Sequence, residues 1–347
     1  MKCQRCSKSA VIYQKYSNAH LCKLHFIEDV ERKIKRDIRK FRMVERGDRI
    51  AVALSGGKDS IVLLYVLNKI FHDRKDLEFS AITIDEGIIG YREHTLEHAV
   101  KLTGDLGIPH TIRSFSEGFG VTLDKLTKKK EHAACTLCGV LRKNLLNKTA
   151  RELGASKLAT GHNLDDESQT IMMNYLRGDM DRLKRMLPNV KQPGLVMRIK
   201  PLRSIPEKEV ALYGFLNGLP VSMDECPYAG EALRNEIRDM LNNYEVKHPG
   251  TKYSLLGGFE IISEALRSPD TQIVECRLCG EPGSEIVCKT CRLLGKTIKN
   301  GTADKRRFVM SVSWVLLNVH TEKNNAMPRP YCGIALSLVF LLLIFYF

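Results

Sequence analysis

Ile50-Ala-Val-Ala-Leu-Ser-Gly-Gly-Lys-Asp-Ser-Ile-Val-Leu-Leu64 decides the fold. Ile50 to Leu54 are apolar and partly β-branched, which reads as a buried strand of a parallel sheet. Ser55, Gly56 and Gly57 then turn the chain, and a helix is expected from about Asp59 to Phe71. Its apolar positions Val62, Leu63, Val66, Leu67 and Ile70 recur at helical spacing. A strand, a Gly-Gly turn and a helix N-terminus make an anion site, because free N–H groups converge where the helix dipole is positive. The loop is too short for the Walker pattern G-x-x-x-x-G-K-[ST].

Strands and helices alternate onward from that stretch. Glu78 to Asp85 reads as a second strand ending in Asp85-Glu-Gly87, followed by a helix from about Tyr91 to Leu106 and a short strand at His110 to Arg113. Lys157 to Thr160 reads as another strand, leading into Gly161-His-Asn-Leu-Asp-Asp-Glu-Ser168 and a helix to about Arg177. Such alternation implies right-handed βαβ units and an α/β fold with a parallel sheet covered on both faces. Ligands in these sheets sit at the carboxyl ends of strands, so Ile84 and Asp85 should lie beside the loop, where Ile84 backbone groups are placed to read adenine. Asp166 at a helix start is placed to hold Mg²⁺ or orient a phosphate-bound water. Simple N-capping by Asp165, Asp166 and Glu167 is the competing reading.

The 347 residues carry a formal charge of +14, from 54 Lys and Arg against 40 Asp and Glu. That excess suits a polyanionic partner. The stretch from Glu28 to Arg49 is charge-dense, with nine Lys and Arg against six acids, and Val30, Ile34, Ile38 and Phe41 mark it as an amphipathic helix with a basic outer face. That face is either simply solvated or a phosphate contact.

Of the eleven cysteines, most fall in C-x-x-C or C-x-x-H pairs, and the polar N-terminus Met1-Lys-Cys-Gln-Arg-Cys is no secretory signal. Metal in a reducing compartment, the cytoplasm, therefore fits better than disulfides. Cys3-x2-Cys6 and Cys22-x2-His25, fifteen residues apart, make one four-ligand structural zinc site. So short a segment buries little, so its metal must supply folding free energy. Cys276-x2-Cys279-x8-Cys288-x2-Cys291, with Gly280 and Gly283 in its turn, makes a second, a four-thiolate ribbon.

Cys135-Thr-Leu-Cys138 has no such partner pair; the remaining candidate is Cys226, in Asp-Glu-Cys-Pro-Tyr. Three thiols cannot close a tetrahedral zinc site, but they can hold an iron–sulfur cluster with one iron open. A redox dithiol with a bystander Cys226, or persulfide chemistry at one thiol, are the alternatives. Lys128, Lys129, Lys130, Arg142 and Lys143 form a basic rim around these thiols. Pro206 is expected at the first position of a helix. The run from Tyr331 to Phe347 is uncharged and apolar, at the lower edge of a membrane span, and includes the unpaired Cys332. It reads as an anchor, a docked segment, or a readthrough or gene-model product.

Ser-Gly-Gly-Lys-Asp-Ser resembles the PP-loop of ATP pyrophosphatases, the adenine nucleotide α-hydrolase-like enzymes that cleave ATP between the α- and β-phosphates. With the paired terminal zinc modules, Cys-Thr-Leu-Cys-Gly-Val-Leu-Arg142, Tyr-Leu-Arg-Gly-Asp179 and Gly161-His-Asn-Leu-Asp-Asp166, residues 1–296 resemble the archaeal and eukaryotic cytoplasmic tRNA 2-thiolation family. The tail lies outside the resemblance. It implies a zinc finger at 1–27, a PP-loop domain with a basic N-terminal helix at 28–265, a zinc ribbon at 266–296 and a tail at 297–347.

The resemblance further implies that ATP adenylates the C2 oxygen of a tRNA uridine and that sulfur then displaces AMP. Ser55, Gly56, Gly57 and Ser60 would hold the phosphates, with Ala53, Leu54, Ile84, Arg142 and Gly161 completing the nucleotide site. Lys58 would offset charge, Asp59 would act as acid/base or metal contact, and Asp166 would bind Mg²⁺ or align the uridine. A 4Fe-4S cluster on Cys135, Cys138 and Cys226 would carry the sulfur, with two Zn²⁺ in the terminal modules. The wobble uridine is the expected target and the T-loop uridine the runner-up. The sulfur donor is a ubiquitin-like thiocarboxylate carrier or sulfide, and a homodimer or a heteromer with a related subunit is expected. A non-catalytic tRNA-binding scaffold is the other class, disfavoured because Lys58, Asp59 and Ser60 stand together. An adenylating amide ligase would have no use for three clustered thiols.

Overall fold

A computed structural model describes residues 1–128, 131–186, 192–221, 226–229, 234–265 and 273–296. Lys129, Lys130, most of the link from Ala265 to Val274 and the apolar C-terminal run with Cys332 lie outside these residues. Among the described residues, no helix is long and apolar enough to cross a membrane.

The chain begins with a small hairpin, β1 (Ile12–Gln14) and β2 (Ala19–Leu21), feeding helix α1 (Lys23–Lys40). The predicted apolar stripe of α1 is present: Val30, Ile34 and Ile38 are buried in the main core. The helix starts earlier than expected, directly after its N-cap Cys22, and stops earlier because Arg42 turns with φ 45° and Gly47 with φ 78°. On its outer face Arg32 and Lys33 pair with Asp29, Arg36 with Asp37 and Lys40 with Glu260. Much of that basic face is therefore neutralised internally, which favours the solvated reading.

The core unit runs β3 (Arg49–Ala53), α2 (Lys58–Phe71), β4 (Glu78–Asp85), α3 (Arg92–Leu106) and β5 (His110–Ser114). Short helices α4 (Phe115–Phe119) and α5 (Leu123–Thr127) lead to the long α6 (Ala134–Glu152). Then come β6 (Lys157–Ala159), α7 (Leu164–Leu176), α8 (Met180–Lys184), β7 (Met197–Ile199) and α9 (Glu207–Leu216). Pro206 is the N-cap of α9 rather than its first residue. Two further helices, α10 (Arg234–Lys247) and α11 (Thr251–Ala265), pack on α7. The ribbon has β8 (Val274–Glu275), β9 (Pro282–Gly283) and α12 (Lys289–Leu293).

All five central strands are parallel, in the order β5-β4-β3-β6-β7. Successive strands step outward from β3 to β5, then the chain returns to β3's other side with β6 and β7. This is a doubly wound sheet whose direction reverses between β3 and β6. The reversal opens a crevice at the carboxyl ends of those two strands, where residues 54–60 and 160–166 emerge. Ile50, Val52, Ile61, Leu63, Leu64 and Leu67 are all fully buried, so the loop between them hangs on a rigid frame. The four of these that belong to α2, Ile61, Leu63, Leu64 and Leu67, contribute roughly 6–12 kcal/mol by transfer.

Candidate active site

Gly56 makes the turn that the sequence demanded. Its φ is +83°, and a Cβ there would sit 1.8 Å from the Thr95 carbonyl oxygen, so no other residue fits. The loop is closed by its two serines: Ser60 Oγ accepts from the Ser55 N–H (3.1 Å) and donates to the Gly57 carbonyl (2.9 Å). Gly57 is the N-cap of α2 and no side chain caps it. The first N–H groups of α2 are thus left for an anion. Leu54 is tied to β4 through the Ile82 carbonyl (2.9 Å), and Ala53 pairs in register with Ile82. Gly161 leaves β6 so close to the loop that a Cβ would lie 3.0 Å from the Asp59 carbonyl carbon. The two strand ends therefore share one crevice.

Lys58 reaches Asp59 (3.2 Å) and Glu207 at the start of α9 (2.7 Å). Burial works against its charge, but Asp59 and Glu207 outweigh burial and raise its pKa. Asp59 accepts from the Asn163 side chain (3.0 Å). Its pKa is raised, first by burial and also by the charge of Asp166, with Lys58 and Asn163 opposing. Asp166 forms a capping box with Asn163 (3.1 and 3.2 Å) and also meets Arg234 (2.9 Å). Capping and a place at the site are therefore both true of Asp166. Burial raises its pKa, too, against the pull of Arg234. Its neighbour Asp165 points elsewhere: it pairs with Lys252 and accepts from the Glu207 N–H, which makes it structural.

Ile84 is buried and its carbonyl accepts from Arg92 (2.6 Å), which leaves one lone pair at most for an adenine. Arg142 does not stand among the loop residues. It lies one turn after Cys138 on α6, with Nη2 3.0 Å from Cys138 Sγ and Nε 2.6 Å from Glu86.

Cys135 and Cys138 occupy the first turns of α6, and Cys226 packs with Cys138 against the same apolar cluster. Cys135 Sγ lies 3.5 Å from the carbonyl oxygen of Tyr228, two residues past Cys226. The Cys138 thiol is pushed up by burial and by Glu86 and Cys226, with Arg142 acting the other way. The three sulfurs do not all come within 4.8 Å of one another, as the ligand atoms of the two terminal sets do. Such a spread suits a polynuclear group better than a single ion.

The terminal sets fit one zinc each. A tetrahedron with Zn–S of about 2.3 Å has edges of about 3.8 Å. Cys6–Cys22 is 3.7 Å, Cys276–Cys291 is 3.8 Å and Cys279–Cys288 is 3.6 Å. His25 turns Nδ1 toward Cys3 (3.3 Å) and Cys22 (3.5 Å). The donor atoms already mark the corners of a closed site.

A cleft of about 570 Å³ opens beside the crevice. Among its described lining residues are eight lysines and arginines and a single carboxylate, Glu167, which Lys200 already neutralises (2.6 Å). Lys143, adjacent to Arg142, and Arg198 pair with no described carboxylate, and burial lowers the pKa of both. His162 is open to solvent on the cleft wall. Its pKa is lowered, by desolvation and by the charges of Lys200, Arg234 and Lys143, with Glu167 opposing. The sequence reading missed this cleft, Glu86, Arg92, Asn163, Glu207 and Arg234. Two of them had a signal: Glu86 its position at the carboxyl end of β4, and Asn163 its place within the Gly161–Asp166 stretch.

Comparison with known proteins agrees with this geometry. The family described as a PP-loop domain matches residues 27–245, and the N-terminal LIM domain of 2-thiouridine synthetase TtuA matches residues 2–27. The chain is 40% identical over 315 residues to tRNA 2-thiolation protein NcsA of Haloferax volcanii, covering 85% of this chain and 98% of that one. It is 35% identical to the tRNA-5-methyluridine(54) 2-sulfurtransferase of Pyrococcus horikoshii, over 85% of this chain and 94% of that one. The solved structure of the U34-tRNA thiolase NcsA from Methanococcus maripaludis with its [4Fe-4S] cluster superposes with a TM-score of 0.76. Its sequence is 36% identical, and the match covers 87% of this chain and 99% of that one.

Proposed function

This chain belongs to the PP-loop family of tRNA 2-thiolation proteins, and we propose that it replaces the C2 oxygen of the wobble uridine with sulfur at the expense of ATP. It is a tRNA sulfurtransferase by family. The observation that carries the use of ATP on an RNA is the crevice itself, which sets an anion-binding loop and a pair of carboxylates beside a cleft lined by eight cations, of which Lys143 and Arg198 pair with no described carboxylate. ATP supplies the anion and the RNA backbone suits the cleft.

In the first step the uridine O2 attacks the α-phosphorus of ATP and pyrophosphate leaves. The N–H groups of Gly56, Lys58 and Asp59, at the turn and the start of α2, take up the leaving charge and the Lys58 side chain offsets it. Asp59 and Asp166, which act on each other electrostatically, are the carboxylates that would hold Mg²⁺, which would offset phosphate charge, or that would align the uridine. In the second step a sulfur nucleophile attacks C2, the C2–O bond breaks and AMP departs with the oxygen. A 4Fe-4S cluster held by Cys135, Cys138 and Cys226 supplies a site for that sulfur. Arg142, beside Cys138, places positive charge where anionic sulfur must arrive. Zinc in the two terminal sets maintains the modules that flank the site. The sulfur donor is sulfide or a thiocarboxylate carrier, and cysteines spaced as metal ligands rather than disulfide partners favour the cytoplasm.

The test is to give the anaerobically loaded chain unmodified tRNA, ATP, Mg²⁺ and sulfide, then map 2-thiouridine by mass spectrometry of nuclease fragments. Sulfur at position 34 is expected. Sulfur in the T-loop fragment would favour the second reading, which the likeness to the position-54 sulfurtransferase supports. Bound tRNA with no sulfur anywhere would leave only a scaffold.

A further inference from the structure

Glu86 is 2% exposed, carries a carboxylate, and no step above uses it. It lies just past the end of β4, between two arginines from different parts of the chain. Its Oε2 is 2.9 Å from Nε of Arg92, and its Oε1 is 2.6 Å from Nε of Arg142. Arg92 is itself 5% exposed and donates to the carbonyl oxygens of Ser55 (2.8 Å) and Ile84 (2.6 Å). Arg142 donates to Cys138 Sγ (3.0 Å). One unbroken path, Ser55–Arg92–Glu86–Arg142–Cys138, thus runs from the phosphate loop to the central thiols.

We infer that Glu86 is a positioning residue that joins the two halves of the active site, fixing Arg142 at the thiols with one oxygen and Arg92 at the phosphate loop with the other. Both links to Glu86 are close charge pairs rather than hydrogen bonds, since its Oε2, Arg92 Nε and Arg142 Nε have no hydrogen-bond partner among the described residues; one buried carboxylate thus couples the two guanidiniums through charge. The surroundings leave little slack. The Glu86 carbonyl accepts from the Leu123 N–H (2.8 Å), which fixes the backbone against α5. Tyr91 packs in the same apolar cluster as Cys138 and Cys226. Occupancy of the loop by nucleotide and occupancy of the thiols by a cluster should therefore alter each other's binding, reciprocally, as linkage requires. The inference rests on the reading of Cys135, Cys138 and Cys226 as cluster ligands.

The experiment measures the Kd of a non-hydrolysable ATP analogue for the full-length chain, cluster-loaded and cluster-free. The expected ratio of the two Kd values is about five-fold or more. In Glu86→Gln, which keeps the shape but removes the charge, the ratio should fall to near one while nucleotide still binds. Thermal midpoint and retained zinc report whether that variant folds. Should it not fold, Arg142→Gln cuts only the thiol end of the path and must abolish the ratio likewise. A Glu86→Gln protein with the wild-type ratio would overturn the inference, and so would a loaded wild-type chain with a ratio of one. A chain that takes up no cluster at all would sink the reading of the three cysteines along with it.

Discussion

In the terminal sets, sulfurs stand 3.6–3.8 Å apart, and five of the eight ligands are buried. Around Cys135, Cys138 and Cys226 the sulfurs are spread more widely, Cys135 is exposed, and a guanidinium touches Cys138. The side chain is the same in both regions. What differs is whether the fourth corner is filled. A closed tetrahedron of protein ligands has no room for a reactant and can only hold the chain together, whereas an incomplete set beside a cation invites one in.

The largest expected effect falls on the closed sets. Cys276→Ser should cost one equivalent of zinc and unfold the ribbon, since structural zinc supplies about 10–16 kcal/mol in modules of this size. Metal content and protease resistance of residues 273–296 would report it. The comparison breaks if Cys226→Ser does the same to the fold.

Gly56→Ala asks whether the loop is as inflexible as the tetrads. With φ at +83° and backbone in the way, the cost should be about 3–5 kcal/mol, read as a lower denaturant midpoint, and ATP binding should be lost.

A pair without any cysteine gives a pH-dependent reference. Asp48 and Lys157 meet at 2.9 Å, both buried. Burial raises the Asp48 pKa, but the Glu45 N–H, Lys157 and Ser156 outweigh it and hold the carboxyl below its usual range. Its contribution is therefore complete above the unfolded-state pKa and fades as pH falls through the lower folded value. Asp48→Asn should cost about 3 kcal/mol at pH 7 and much less at pH 3, in denaturant titrations at the two pH values. Zinc sites lose their metal over the same acid range, so variants of the two kinds must be compared at neutral pH.

The smallest effect on stability is expected at Cys138→Ser, about 1 kcal/mol or less, with both zinc ions retained and thiolation gone. That pairing of a quiet melting curve with a silent enzyme is what separates the central thiols from the terminal ones.

The sequence carried the parts of this molecule that rest on local spacing. The strand Ile50–Leu54, its Gly-Gly turn, the limits of β4 and the two four-ligand Cys/His sets are all properties of short windows, and they appear where expected. The short strand β7 escaped notice because Met197–Ile199 is three residues with no pattern to read. Asp165 and Asp166 are indistinguishable on paper, yet one binds Lys252 and the other faces Arg234. Successive residues on a helix point about 100° apart, and only packing says which direction is the site. Glu86 and Arg142 are 56 positions apart, and their contact exists only because β4 and α6 are neighbours in space.

The claim at the centre is that ATP energy is used to make one RNA oxygen replaceable. Transcribed tRNA carrying ¹⁸O at the C2 oxygen of its uridines tests it in a single turnover, with AMP analysed by mass spectrometry. One ¹⁸O in each AMP, matched by one 2-thiouridine, is the predicted result. Thiolated tRNA accompanied by unlabelled AMP would contradict it.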